Sequence, residues 1–449
     1  MSRANKRITL DLSGIEGGEG SLLPEPAGLT ERLEQARQAV LTPDSAVSAA
    51  DAGSWSGVES LPTRILDDYV QHREQSQLGR ILQTARRLQD AVDRVILLGD
   101  ARWMRGARVW KSACCEPYFD QLTRAQRGGR LRLIFADHLW DNDAVAGLLE
   151  LLVQGRSADR LEDRWALLTL PEESGGHTGT PRGGAPFFRA LSRFYGRSAW
   201  PTYYVRLVRS GGPVPWLATL PAGAAEHAVG PQVAGEFSVF SPAGLLPAAC
   251  LGLDVVRLLE GAAEMSDRFH SATRGDNPVV DYAAVARRME QVPGAGRRVV
   301  RLGALSLEAL GCWYASLLGR FEHLPAAATI PRSVVATRDP LPPVRPDRPG
   351  GCDLWLTDVT VDRVRCDPCS GEWSHEISGD SAPKAKTLPE LAASRLDETL
   401  RPYRRDGVPV VRIGLPQINE GTLGQLLQML MLATVVENVT RVIPVRSSV

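Results

Sequence analysis

The sequence predicts an α/β protein with two doubly wound parallel sheets in tandem, preceded by an N-terminal arm. Three observations lead to this prediction. Short apolar segments recur along the chain, each with the length of a buried strand. Segments whose apolar residues have helical spacing lie between them. The alternation occurs in two series, and strand–helix alternation is typical of parallel sheets covered by helices on both faces.

Residues 1–60 are rich in Gly, Ser, Ala and Pro and predict a partly disordered arm with one helix near 30–40. The first domain, 61–240, begins with helical spacing of Leu78, Ile81 and Leu88. Its predicted strands are VILLG, LRLIFAD, WALLTL and TYYVRLV, at 95–99, 131–137, 165–170 and 202–208. Its predicted helices include 141–152, which has an acidic first turn, and 185–194.

The second domain, 241–449, begins with a helical region from 242 to about 289. Its predicted strands lie at 297–303, 333–339, 353–361 and 408–414, and its later helices at 305–318, 388–403 and 422–436. Open α/β sheets bind ligands at the carboxyl ends of their strands. We therefore expect the functional residues in the loops that follow these strands.

The charge balance excludes several classes of protein. Lys and Arg number 52, as do Asp and Glu, whereas general nucleic-acid and membrane-surface binders carry a basic excess. No uninterrupted apolar run reaches the roughly 20 residues of a membrane span. The N-terminus, MSRANKRITLDLSG, lacks the apolar run of a signal peptide. We expect a cytoplasmic protein without nucleic-acid or membrane partners.

Seven cysteines in a chain of this size do not form a disulfide framework. Cys366 and Cys369 form a Cys-Asp-Pro-Cys motif and, with Cys352 and His375, offer four zinc ligands. The partners do not form a second pair at finger-like spacing, so a reduced loop without metal is the favoured prediction. The other cysteines lie in apolar, helix-like segments and are expected to be buried free thiols: Cys114, Cys115, Cys250 and Cys312.

Several strings resemble the phosphoglucose isomerases, which interconvert glucose 6-phosphate and fructose 6-phosphate. GEFSVFSPAGLLP (235–247) is similar to the family's GGRFS…S..GLLP segment, and NPVVDYAAV (277–285), LPELAASRLDETL (388–400) and LPQINEGTLGQLLQMLMLATVVE (415–437) resemble its bacterial branch. The resemblance covers residues from about 60 to 437. It implies two doubly wound sugar-isomerase (SIS) domains, a homodimer whose subunits share active sites, and neither metal nor organic cofactor.

The resemblance also implies two phosphate-binding segments. The family's glycine loop, GIGGS-x-x-GAR, reads GDARWMRGAR here (99–108), which keeps Gly99, Gly106 and Arg108. Arg102 and Trp103 replace small residues and are expected to project into the sugar's place, unless Arg102 replaces a phosphate contact. The family's SKSG turn reads ESGGHTGT (173–180), in which Glu173 replaces the lysine. The donors that remain for a phosphate are Ser174, Gly175, Gly176 and Thr178.

Aldose–ketose isomerisation requires a base, a ring-opening acid and a cation for the enediolate. The family's arginine in GGRFS is Glu236 here, its glutamate base aligns with Arg320, and its histidine aligns with Leu341. Its C-terminal lysine string, NPFDQPGVE-x-x-K, has no counterpart after 437. Glu322 is a fallback base, and His323, His177, Arg441 and Arg446 are further candidates.

These replacements predict an isomerase homologue without catalysis, serving a binding, regulatory or assembly role. It would bind a sugar phosphate and form a homodimer, or a heterodimer with a catalytic relative. Two alternatives are an active isomerase with rearranged residues, namely Glu322 as base, His323 or His177 for ring opening and Arg102 with Arg108 for charge, and an isomerase or lyase acting on another phosphosugar.

Overall fold

The computed structural model describes residues 7–16, 25–42, 55–171, 180–210, 224–231, 233, 235–291, 297–321, 331–344, 353–365 and 387–443. Contacts group the chain into two compact units. The first unit is residues 40–263, and the second unit combines residues 1–39 with residues 264–449. No helix within the described ranges is both long and apolar enough to cross a membrane.

The strands of the described residues are β1 (Thr9–Asp11), β2 (Arg94–Leu98), β3 (Arg132–Ala136), β4 (Trp165–Thr169), β5 (Tyr204–Arg209), β6 (Ala225–Val229), β7 (Arg297–Leu302), β8 (Arg332–Val335), β9 (Leu354–Arg363) and β10 (Val410–Gln417). The helices are α1 (Ser13–Glu16), α2 (Leu29–Leu41), α3 (Leu61–His72), α4 (Gln77–Ala91), α5 (Ala101–Cys114), α6 (Asn142–Val153), α7 (Thr180–Tyr195), α8 (Trp200–Tyr203), α9 (Pro242–Cys250), α10 (Val255–Ser271), α11 (Pro278–Met289), α12 (Glu308–Gly319), α13 (Leu388–Arg405) and α14 (Glu420–Val442).

The first unit contains a parallel five-stranded sheet in the order β3-β2-β4-β5-β6. At its centre, Ile96 of β2 lies between Ile134 of β3 and Leu167 of β4. Every residue of β2 and β4 is buried, which explains why these strands are almost entirely apolar in sequence. The four predicted strands are present. The sequence analysis missed β6, whose exposed and buried residues alternate.

The second unit contains a five-stranded sheet in the order β1-β10-β9-β7-β8. Strands β7 to β10 are mutually parallel, so the predicted α/β class with parallel sheets is confirmed. Strand β1 pairs antiparallel with β10, with Thr9 opposite Gly414. The preceding Ile8 is buried, and its amide donates to Gln425 Oε1 over 3.1 Å. Residues 7–16 of the predicted arm thus belong to the second unit, and the partial disorder predicted for residues 1–60 stays a prediction.

The helices of the second series extend beyond their predicted bounds. The helical region predicted from 242 to about 289 consists of α9, α10 and α11, and Asn277 caps α11 by accepting from the Val280 amide over 3.3 Å. The last helix, α14, continues past the predicted end at 436 as far as Val442. Its residues 422–440 are buried all round, which accounts for their strong hydrophobicity. Residues 437–442, beyond the predicted end of this helix, are therefore helical.

The compact units also divide the chain at positions other than the predicted boundaries at 60 and 240. The 3₁₀ helix Gly235–Phe240 and α9 belong to the first unit. A Cβ added to Gly106 of α5 would lie 3.0 Å from Val239 Cγ2, so α5 and this segment are in direct contact. Packing against α5 therefore places this segment with the first sheet.

Candidate functional site

The candidate site lies at the carboxyl ends of the neighbouring strands β2 and β4. After β2 the chain continues to β3 on one side of this pair, and after β4 it continues to β5 on the other side. Gly99 follows β2 and has a φ of 153°. The amide of Leu170, which follows β4, donates to the Leu98 carbonyl over 3.0 Å, and a Cβ on Gly99 would lie 3.0 Å from Leu170 Cβ. The glycine loop and the end of β4 thus approach each other closely, as required of a ligand site at a topological switch point.

The predicted phosphate turn follows β4 and precedes α7. Its residues Glu173, Ser174, Gly175, Gly176 and Thr178 lie outside the described part of the chain. Their assignment to phosphate binding stays a prediction. The flanking elements, β4 and α7, are described and bring the two ends of this turn into the unit that carries the glycine loop.

The N-terminus of α5 is occupied by the chain's own carboxylate. Asp100 is the N-cap, and its Oδ1 accepts from the Arg102 amide over 2.8 Å. The Arg102 guanidinium folds back onto the same carboxylate, with Nη2 2.8 Å from Oδ2. Burial acts to raise the pKa of Asp100, but the hydrogen bonds from Arg102 outweigh it, so the pKa lies below its ordinary value.

This arrangement decides what the helix terminus can bind. The first amides of a helix favour an anion, which is why phosphates bind there in many α/β proteins. Here a carboxylate that stays ionised at neutral pH accepts from one of those amides. A phosphate at this position would meet the charge of Asp100 and would have to compete with it for α5 and Arg102.

Two other residues of the glycine loop face the interior. Trp103 is completely buried, and the expectation that its indole occupies the sugar's place stays a prediction. Gly106, predicted to bind phosphate, lies against Val239, where a larger side chain would not fit without a shift of its neighbours. This contact accounts for the glycine without a ligand, and its role in binding stays a prediction.

Arg108, retained from the family loop, is held by a partner that the sequence analysis missed. Its Nη2 donates to both carboxylate oxygens of Asp137, over 2.8 Å each, and its guanidinium lies 4.3 Å from the centre of the Phe135 ring. Asp137 follows β3 directly. The position of an aspartate at a strand's carboxyl end was the available signal, although sequence alone could not pair it with a residue on α5.

Glu236, where the family has arginine, is in the 3₁₀ helix Gly235–Phe240 and has only 2% of its surface exposed. Gly235 has a φ of 47°, a conformation that favours glycine. A Cβ at Gly244 would overlap the Val239 carbonyl. The glycines of this resembling segment are therefore explained by backbone geometry and packing, and the buried acid is its unusual member.

Arg320 and Leu341, which the resemblance aligns with the family's base and histidine, lie in the second unit. Arg320 follows the last residue of α12 as its C-cap. Leu341, at the place of the family's histidine, packs with Val344 and Tyr403 against the hydrophobic core beneath β7 to β10. The Tyr403 hydroxyl donates to the Pro342 carbonyl over 2.9 Å, which anchors the proline-rich segment. Leu341 is thus a packing residue.

Ion pairs of Arg338 stabilise the turn that precedes Leu341. Arg338 donates to Asp339 over 2.9 Å and to Glu308 at the start of α12 over 2.6 Å. Hydrogen bonds from Arg338 and from the Val335 amide lower the pKa of Asp339 to about 2. These residues fix the chain after β8.

The fallback residues are not brought together within the described chain. Glu322, His323 and His177 lie outside the described residues, as does Arg446. Arg441, the other candidate for the missing lysine, contacts Glu290 and Glu437.

The predicted thiol loop, with Cys352, Cys366, Cys369 and His375, also lies outside the described residues. Elsewhere, the described residues contain no group of three or more potential metal ligands. Cys312, expected to be buried, is exposed on α12, whereas Cys115 and Cys250 are buried as predicted.

Two glucose-6-phosphate isomerases show how far the sequence of this chain resembles known proteins. No family model matches the chain. The glucose-6-phosphate isomerase of Leptospira biflexa is 30% identical over 197 residues, which is 44% of this chain and 44% of that enzyme. The chain therefore matches less than half the length of this relative. The glucose-6-phosphate isomerase of Pediococcus pentosaceus is 23% identical over 361 residues, 80% of this chain and 78% of that enzyme.

This chain resembles the glucose-6-phosphate isomerases. The solved structure of a glucose-6-phosphate isomerase from Chlamydia trachomatis covers 96% of this chain and 84% of its own length, with a TM-score of 0.67 and 11% identity, and so shares the fold. The predicted resemblance to this family and the sugar-isomerase fold are confirmed.

Proposed function

We propose that this homologue of glucose-6-phosphate isomerase has lost isomerase catalysis and serves a binding, regulatory or assembly role. The observation that carries the proposal is the N-terminus of α5, where Asp100 caps the helix and Arg102 is folded onto it. In an isomerase this edge must receive the phosphosugar. Here its anion-binding groups already hold an internal anion.

The replacements at the chemical positions support the same proposal. A carboxylate at Glu236 opposes both a phosphate and an enediolate, and Leu341 packs in a hydrophobic core instead of opening a sugar ring. Loss of a general base alone lowers a rate by roughly 10²–10⁴, and loss of an electrostatic stabiliser by roughly 10²–10³. These losses are not additive, but together they remove the family's means of moving the proton.

The alternative is an active isomerase with rearranged residues, acting on glucose 6-phosphate or another phosphosugar. The match to a named isomerase over 80% of the chain favours it. It would require Glu322 as base, and Arg102 and Arg108 as cations. Both arginines are already bound to carboxylates, Asp100 and Asp137, which weakens their attraction for a substrate.

The expected ligand and partners follow from the proposal. A sugar phosphate that binds without turnover would use the predicted turn at Ser174, Gly175, Gly176 and Thr178 with Gly99. A subunit without catalysis would act in a homodimer or with a catalytic relative. No metal or organic cofactor is required by either candidate function.

The decisive experiment measures turnover of fructose 6-phosphate by the purified chain in a coupled assay. We expect no turnover above background. Thermal-shift measurements with fructose 6-phosphate and glucose 6-phosphate would show whether the chain binds either sugar phosphate. A ligand at about 100 times its Kd stabilises by roughly 2.7 kcal/mol. Turnover that disappears in Arg108→Gln but persists in the surface control Arg257→Gln would contradict the proposal.

A further inference from the structure

The amino end of the first sheet carries an arginine that its surroundings do not neutralise. Arg94, the first residue of β2, is only 7% exposed. Its Nη1 is buried and has no hydrogen-bond partner in the part of the chain that the structure describes, which also offers it no carboxylate at ion-pair distance. A guanidinium that loses hydration without gaining a counter-charge is costly, so this residue requires an explanation.

The carboxylate next to Arg94 in sequence is already bound by other arginines. Asp93 is completely buried, and its oxygens accept from Arg127 over 2.6 Å and from Arg132 over 2.8 Å. Arg124 Nη1 lies 3.5 Å from the same carboxylate. Because three guanidinium groups share this one negative charge, Asp93 does not neutralise Arg94 as well.

A second buried carboxylate at this end of the sheet is bound in the same way. Asp163, which is 2% exposed, accepts from Arg156 over 2.9 Å, and its other oxygen lies 3.7 Å from Arg160 Nε. The remaining acids of this segment, Asp159 and Glu162, are exposed, where water screens their charges. The buried side chains at this end of the sheet therefore have an excess of positive charge.

Two further guanidinium groups lie close to Arg94. Burial lowers the pKa of Arg94, and the positive charge of Arg156 lowers it further. Arg164, which immediately precedes β4, accepts the Arg94 amide at its carbonyl over 3.3 Å, and its Nε donates to the Ala158 carbonyl over 2.6 Å. Burial raises the pKa of Tyr195, and Arg164 and Arg94 both lie near enough to its hydroxyl to oppose this rise.

We call Arg94, Arg156 and Arg164 the β2 arginine cluster. Its three members come from different segments, namely the start of β2, the segment after α6 and the residue before β4. Arg156 and Arg164 are half-buried, so the cluster is open to solvent on their side, whereas Arg94 is its buried member.

We propose that the β2 arginine cluster binds the phosphate group of a small ligand. Guanidinium groups form charge-assisted, often bidentate hydrogen bonds with phosphate oxygens. A tetrahedral phosphate presents oxygens on several sides to arginines from three segments, whereas a carboxylate presents two oxygens in one plane. The bound phosphate supplies the counter-charge that Arg94 lacks. The cluster lies roughly 16 Å along β2 from Gly99 of the candidate site, and the proposal does not rest on the loss of catalysis.

The test is the melting temperature of the full chain in a phosphate-free buffer, titrated with inorganic phosphate or with potassium chloride at the same ionic strength. We expect phosphate at saturation to raise the melting temperature of the wild type by about 2–5 °C more than chloride does. Arg94→Met should abolish this difference. Without phosphate, this variant should melt at or above the wild-type temperature, because an apolar side chain of similar length removes an uncompensated buried charge.

The matched control is Arg206→Met, because Arg206 lies in β5 of the same sheet with 18% of its side chain exposed and is paired with Glu226. Whatever its own stability, this variant should respond to phosphate as the wild type does. Arg164→Gln changes a half-buried member of the cluster and should weaken phosphate binding by about tenfold, as measured by isothermal titration calorimetry.

A parallel titration with glycerol 3-phosphate distinguishes the source of the phosphate group. Stabilisation by both compounds indicates a phosphate monoester as ligand, and stabilisation by inorganic phosphate alone indicates the free anion. A phosphate effect on the wild type that is no larger than that of chloride overturns the proposal, as does an equal phosphate effect in Arg94→Met. Turnover of fructose 6-phosphate, present or absent, leaves these outcomes unaffected.

Discussion

The two sheets of this protein share a strand order but complete it in opposite ways. In the first sheet β2 lies between β3 and β4, and β5 pairs with the other edge of β4. In the second sheet β7 lies between β8 and β9, and β10 pairs with the other edge of β9. The fifth place is taken in the first sheet by β6, parallel to β5, and in the second by β1, antiparallel to β10. This edge place is therefore filled by a segment that can pair with the neighbouring strand, irrespective of its position along the chain.

The sheets also differ in the charges buried at the start of their central strands. Immediately before β2, Asp93 binds Arg127 over 2.6 Å, and both side chains are completely buried. In β7, Arg298 binds both oxygens of Glu437 over 3.0 Å each, with its guanidinium 4.8 Å from the Trp355 ring. A buried acid thus precedes the first strand of one series, and a buried base lies near the start of the first strand of the other.

The largest effect is expected from breaking one of these buried pairs. Asp93→Asn leaves Arg127 buried without its counter-charge, which should cost about 3–5 kcal/mol of unfolding free energy. Denaturant titration of the purified variant measures this cost. Asp120→Asn serves as the control, because Asp120 pairs with Lys111 at the surface and should lose about 0–1 kcal/mol. Equal losses in the two variants would remove the distinction drawn between buried and exposed pairs.

The edge strands are compared by truncating one buried residue in each. Ile8→Ala, next to β1, should cost about 2–5 kcal/mol, since Ile8 is 1% exposed and the cavity would be only partly refilled. Val229→Ala in β6 should cost about 2 kcal/mol by loss of buried methyl groups. Denaturant titration of both variants sharpens the comparison. A loss below about 0.5 kcal/mol for Ile8→Ala would show that β1 is not integral to the second sheet.

Acid should affect the two edge strands differently, because only β6 of these two carries a histidine. Burial, with a smaller effect of Arg80 and Arg87, lowers the pKa of His227 to about 4. Its ordinary value in the unfolded chain is about 6.5, so as pH falls below 6.5 the unfolded state takes up a proton that the folded state refuses. Stability from the neutral His227 is therefore complete above pH 6.5 and falls by roughly 3 kcal/mol as pH approaches 4.

The measurement for His227 is the unfolding free energy at several pH values for the wild type and for His227→Gln. Glutamine keeps a polar contact for Thr84, whose Oγ1 lies 3.0 Å from His227 Nε2, but does not titrate. The difference between the two curves should be nearly constant above pH 6.5 and should change by roughly 3 kcal/mol on acidification to pH 4. Parallel curves would contradict the assignment of a neutral buried histidine.

The smallest effect concerns the helices that follow the central strands. Asp100 caps α5 with its side chain, whereas Leu307 at the start of α12 has no side-chain cap. Asp100→Ala should cost about 1 kcal/mol of stability and should strengthen the binding of inorganic phosphate, because the helix amides and Arg102 are released. Thermal shifts with phosphate measure both effects. Glu308→Ala at α12 is the control and should not gain phosphate affinity.

Much of the fold could be predicted because local sequence and burial agree. VILLG and WALLTL are almost entirely apolar because β2 and β4 are buried throughout, and short apolar runs between helical segments predict buried strands. Strand β1 could not be predicted in this way. Its three residues gain their structure from β10, more than 400 positions away in the chain, and Gln425 supplies the partner for the Ile8 amide.

The candidate site likewise has features that the sequence predicted and features that only the tertiary structure showed. From the sequence alone come the resemblance to the glucose-6-phosphate isomerases, the position of Gly99 after a strand, and the prediction that Glu236, Leu341 and Arg320 replace the family's arginine, histidine and base. Only the tertiary structure decided that Asp100 and Arg102 hold each other on α5 and that Arg108 is bound to Asp137. It also placed Trp103 in the interior. Residue identity is carried by the chain, but the partner of a charge and the side on which a ring is buried depend on packing between elements distant in sequence.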